Sequence, residues 1–105
     1  MSKIVSKKIS WNDANIAQEG VVSFNLYYAK PGPATYDSPK VNVPVVEGQT
    51  AYELDIPAQV PIEEGQYEIG VSALDAAGNE SDIAVLDYFF DFTAPGTPTD
   101  LGVKE

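Results

Sequence analysis

The chain has no cysteine and no histidine. The first absence removes disulfide staples, thiolate nucleophiles and thiolate metal ligands together, and it leaves the redox compartment undetermined. The second removes the side chain most used as general base, proton shuttle and transition-metal ligand near neutral pH. Catalysis would have to rest on carboxylates or on serine with lysine. No G-x-S-x-G elbow is present, and a carboxylate pair must flank a cleft of roughly 5–10 Å, which a small domain with short turns rarely offers. The expectation is therefore a protein that is not an enzyme and uses no cofactor. Positive charge is scarce too: six lysines face sixteen acids, for a net charge of −10. A nucleic-acid surface needs a basic stripe to neutralise phosphates, and an anionic membrane asks for the same sign, so neither is an expected partner. No apolar run approaches the ~20 residues of a membrane-spanning helix, and the start, Met1 to Lys8, lacks the long apolar middle of a signal peptide.

What is present is enough for one ordinary domain. At 105 residues the chain can bury a single core without metals or disulfides. Its acidity is uneven: the first forty residues carry five lysines against Asp13, Glu19 and Asp37, and the remainder carries one lysine against thirteen acids. Solubility and mutual repulsion between neighbouring acidic domains account for this imbalance, with calcium binding as the sharper alternative.

Eight prolines and eight glycines interrupt the chain at short intervals. Between them lie alternating runs rich in Val, Ile, Tyr and Phe, the pattern of many short strands, with no helical period anywhere. Val22, Phe24, Leu26 and Tyr28 face one way, and Val21, Ser23, Asn25 and Tyr27 the other. Ile9 and Trp11 form a shorter strand, and Lys3, Lys7 and Lys8 decorate its frayed start. Val41 to Val46 contains Pro44, which cannot donate to a ladder and so belongs at an edge. Ala51 to Ile56 follows, then an alternation through Tyr67, Ile69, Val71 and Ala73. Finally Leu86, Tyr88, Phe90 and Phe92 share one face, with Asp87, Phe89 and Asp91 on the other. The prediction is an all-β, seven-stranded antiparallel sandwich.

Asp75-Ala-Ala-Gly78-Asn79 lies between two such runs. Gly78 is free to take a positive φ, and Asp75 and Asn79 can bond their own backbone, so this is a turn. The EF-hand reading fails on spacing, because the third position is Ala77 and the glycine comes fourth. Asn79-Glu80-Ser81 also fits an N-glycosylation pattern, which turn chemistry explains more economically.

Tyr67-Glu-Ile-Gly-Val71-Ser-Ala73-Leu-Asp75-Ala-Ala-Gly78-Asn79-Glu-Ser81 resembles the sixth strand and following turn of a bacterial fibronectin type III domain, an immunoglobulin-like sandwich. The resemblance covers about residues 9 to 92. It implies that Tyr67, preceded by Gly65, is a tyrosine corner tied back to an upstream carbonyl, that Trp11 is the buried tryptophan of the second strand, and that Phe24, Leu26 and Tyr28 are the inward positions of the third. The family's proline-rich first strand is missing from Ser2 to Lys8. A similar signature stands at the other end, in Ala94-Pro95-Gly96-Thr97-Pro98-Thr99-Asp100-Leu101. The expected organisation is thus a sandwich over 1–92 and, over 93–105, a Pro/Gly-rich hinge resembling the start of a following domain.

What the resemblance implies for function is a non-catalytic structural module, a spacer or presenting domain of a larger exported bacterial protein at the cell surface or beyond. Its partners would be neighbouring domains or other proteins. The alternative is a carbohydrate- or protein-binding module that uses an exposed aromatic face. Trp11, Phe24, Tyr28, Tyr67, Tyr88, Phe90 and Phe92 have inward phases, whereas Tyr27 and Phe89 point outward on one sheet face with Asn25, Glu68, Asp87 and Asp91. Tyr27, Phe89, Asn25 and the loop residue Tyr36 are the candidate ligand or partner residues. Asp55, Asp75, Asp82, Asp87 and Asp91 show no metal-ligand spacing and are expected on solvated faces; no metal or catalytic residue is assigned. A monomer is expected, with a strand-donated oligomer as the alternative.

Overall fold

The structure, a computed structural model, describes residues 7–30 and 32–104. Among these are six strands, β1 (Lys7–Asn12), β2 (Val21–Ala29), β3 (Lys40–Pro44), β4 (Ala51–Ile56), β5 (Gly65–Asp75) and β6 (Ala84–Phe90), and one short helix, α1 (Ile16–Glu19). β1 and β4 form a two-stranded sheet, and the other four form a second sheet in the order β3-β2-β5-β6, with every pairing antiparallel. The chain is all-β, as its alternation predicts. The seven strands expected are six among the described residues. Of the lysines placed on the first strand, Lys7 and Lys8 lie in β1 and Lys3 falls outside the described residues.

Register explains why these runs pair as they do. Ile9 stands opposite Leu54 and Trp11 opposite Tyr52. In the larger sheet Leu26 faces Val71, Tyr28 faces Ile69, and Ile69 in turn faces Leu86. A slip of one residue would turn each of these side chains out of the core, so the apolar period fixes the pairing. Pro44 closes β3, an edge strand, where its missing N–H is harmless. Helix α1 is a single turn that the polar Asn12–Asn15 stretch does not announce. Gly20 ends it in the left-handed region at φ 66°, donating its N–H to the Ile16 carbonyl.

The core lies between the two sheets. Leu26, Leu54, Ile56, Val60, Ile62, Tyr67, Ile69 and Phe90 form one buried cluster. Each such side chain contributes roughly 1.5–3 kcal/mol on burial. Trp11, Phe24 and Tyr52 pack together at one end, with ring centroids 5.0–6.0 Å apart; Tyr67, Tyr88, Phe90 and Phe92 do so at the other. Val60 and Ile62, in the irregular segment after β4, are buried although no alternation marks them. The Tyr67 hydroxyl accepts the backbone N–H of Glu63 at 3.2 Å, so this corner is tied to an upstream amide rather than to a carbonyl.

Beyond Phe90 the described chain has no regular secondary structure. Glu64 accepts the Phe92 N–H at 3.1 Å, and from there the tail leads away. The molecule measures 70 × 31 × 17 Å with a radius of gyration of 18.4 Å, against about 13 Å for a compact chain of this length.

Candidate functional site

The candidate residues lie on the outer face of the four-stranded sheet, and two loops decide which of them meets solvent. Antiparallel register sets Asn42, Asn25 and Ser72 side by side across three strands, and places Lys40 next to Tyr27 and Gly70. Over this patch fold the β2–β3 loop, through Ala34 and Tyr36, and the β5–β6 loop, through Glu80, Ser81 and Ile83. Gly70 makes room for them: a Cβ there would collide with Ile83 Cγ2 and touch Ala34 Cβ. Tyr36 joins the two loops, donating its hydroxyl to the Ser81 carbonyl at 2.8 Å. Glu68 fixes the first loop by accepting the Ala34 N–H at 3.1 Å.

Under the loops is a polar cluster centred on Glu80. Its Oε2 accepts from the Tyr27 hydroxyl, the Ser72 hydroxyl and, at 3.5 Å, from Asn25 Nδ2. Asn25 Nδ2 also reaches the Tyr27 oxygen at 3.2 Å, and Asn25 Oδ1 accepts from Asn42 Nδ2 at 3.0 Å. The Lys40 ammonium lies 5.7 Å from the Tyr27 ring centroid. Burial opposes the charge on Glu80, but the hydrogen bonds from Ser72, Tyr27 and Asn25, helped by Lys40, outweigh it and hold the carboxyl below its ordinary value. Burial and the adjacent Glu80 push the Tyr27 phenol up. The cluster is satisfied from within, as a buried polar group must be if it is not to destabilise the fold.

The opening of the β5–β6 loop is equally self-contained. Asp75 Oδ1 accepts the N–H groups of Ala77 and Asn79 at 3.0 and 2.9 Å, and its Oδ2 accepts Asn79 Nδ2 at 3.1 Å. Gly78, at φ 91°, donates its N–H to the Asp75 carbonyl. These bonds, those of the Asn79 side chain and backbone first, lower the Asp75 pKa. The Ser81 hydroxyl accepts the Ala73 N–H and donates to the Asp82 carbonyl.

This arrangement corrects the exposed aromatic face. Tyr27, expected outside, is 0% exposed, and Asn25 is also buried. Their outward phase is right; the two loops cover it. Phe89, on the same face, remains 57% exposed, and Tyr36 is exposed on its loop. Phe89 and Tyr27 therefore do not form one platform. Glu80 and Ser72, which organise the cluster, went unnoticed in the sequence. The one available signal was Glu80 itself, an acid within a turn otherwise explained by Asp75, Gly78 and Asn79. No family model matches the chain, and neither a curated protein nor a solved structure does.

Proposed function

We propose that this chain is a non-catalytic structural module, a fibronectin type III-like unit that spaces or presents neighbouring domains of a larger exported bacterial protein. The observation that carries this reading is where the sequence's polar and acidic residues go. Asp75, Asn79, Glu80 and Ser81 bond their own backbone or the sheet beneath, so the most chemically promising stretch of the chain maintains a shape. Sheets ordered β1-β4 and β3-β2-β5-β6 support the family likeness, as does Trp11, which is partly buried against the core cluster; the Tyr67 hydroxyl, bonded to an amide, departs from it.

The test is mechanical. Two folded reporter domains joined through the full chain, with small-angle scattering as the readout, should show a clearly narrower distribution of separations than the same reporters joined by an unstructured linker of 105 residues. A broad distribution of separations, like that of a flexible linker, would overturn the reading.

A further inference from the structure

Among the described residues the two sheets are unequal, two strands against four, and one flank of the core is not covered by a strand. Trp11 on β1 packs against Phe24 of β2 and Tyr52 of β4, which sets the two-stranded sheet over β2 and β5. Among the described residues no strand lies over β6. Leu86 and Tyr88 face inward, opposite Ile69 and Tyr67, yet are 55% and 39% exposed. A cleft of about 250 Å³ opens between Trp11–Asp13 on one side and Val71, Ala73 and Ala84 on the other. Trp11 Nε1 is buried and has no hydrogen-bond partner among the described residues. Along the cleft, among the described residues, β1 pairs with β4 alone, and no described strand takes up the N–H and C=O groups of its other edge.

Among the described residues no strand fills this place, and the described tail has the length and apolar phase of one. From Ala94 to Lys104 the tail has no strand partner among the described residues, and Leu101 and Val103, in one phase, are 100% and 94% exposed. The twelve residues from Thr93 to Lys104 span roughly 40 Å when extended. Six of these residues would cover a strand the length of β1, which leaves about 20 Å to reach from one molecule to the next. Asp100, at φ 58° in the free tail, would return to the extended region on pairing.

We infer that residues 93–104 of one copy lie along β1 of a second copy, placing Leu101 and Val103 over Leu86 and Tyr88, so that the chain assembles head to tail. The inference deepens the module reading on which it rests: the segment leaving one unit completes the core of the next. Backbone pairing gives the contact its affinity, and the apolar phase gives its register. Because the tail and the cleft are different surfaces, the contact is heterologous and grows into open chains rather than stopping at a dimer.

Sedimentation of the full chain up to about 1 mM, the weak end of specific association, is the test. The average mass should climb steadily with concentration. The full-length double variant Leu101→Asp, Val103→Asp, altered only where the tail is solvent-exposed, should stay monomeric. Excess synthetic peptide 93–105 should reduce the wild-type assemblies to single capped copies and shift Trp11 emission to the blue. A wild-type chain that is monomeric throughout would overturn the inference. So would a fixed dimer indifferent to the double variant, which would place the contact at the β6 edge. Neither result would alter the reporter separation that decides the spacer reading.

Discussion

Glu80 turns its carboxylate from the β5–β6 loop onto the sheet, where it accepts from Tyr27, Ser72 and Asn25. Removing it in Glu80→Ala leaves the Tyr27 and Ser72 hydroxyls and the Asn25 amide facing each other without it, which costs about 1–3 kcal/mol; a urea midpoint measures the loss. The pH dependence has a definite sign. A carboxyl whose folded pKa is depressed contributes stability that is complete above its unfolded value, about pH 4.3, and is lost as pH falls through the lower folded value. Wild-type and Glu80→Gln midpoints should therefore keep a constant gap from pH 8 to 6 and converge in acid below about pH 4. Gly70 is required for space. Gly70→Val would push into Ile83 and Ala34 and lower stability by about 1–3 kcal/mol, again by urea unfolding.

Strand β6 separates two neighbouring aromatics by a single peptide bond. Phe90 is buried against Tyr67 and Phe92, while Phe89 points away from the core. Phe90→Ala is expected to cost about 3–5 kcal/mol, and Phe89→Ser to stay within about 0.5 kcal/mol. Equal effects on the thermal or urea midpoint would mean that the register Tyr67 to Tyr88 is wrong. This inward and outward assignment was readable from alternation alone, because period two is a local property of the backbone. The loops that cover Asn25 and Tyr27 were not readable. Their path depends on Gly70, Ile83 and Tyr36 meeting across some fifty residues of sequence, and no local pattern encodes such a meeting. Helix α1 was missed for a related reason: a four-residue turn is too short to show a 3.6 period.

On the scale of the whole molecule, the body is narrow and one tail projects from it, giving a long axis of 70 Å. The proposed spacer role asks for rigidity of the body, and the proposed assembly asks for pairing by the projecting segment. Both expectations are open to measurement, by the reporter separation and by the concentration-dependent mass. The acidic balance of −10 bears on the second: like-charged copies repel, so raising the salt from low to physiological concentration should favour assembly.

The amino-acid sequence by itself determined that the fold is all-β, which side chains of each strand turn toward the core, and that Asp75 to Asn79 closes a turn. All three follow from contacts between residues close along the chain: steric alternation, proline's missing donor, and an aspartate bonding the amides just after it. Tertiary structure alone decided that Tyr27 is buried, that Glu80 gathers three donors, and that among the described residues no strand of the smaller sheet lies over β6. These depend on how many strands each sheet holds and where distant loops come to rest, and such pairings form only when segments far apart in the chain bury their apolar faces against one another.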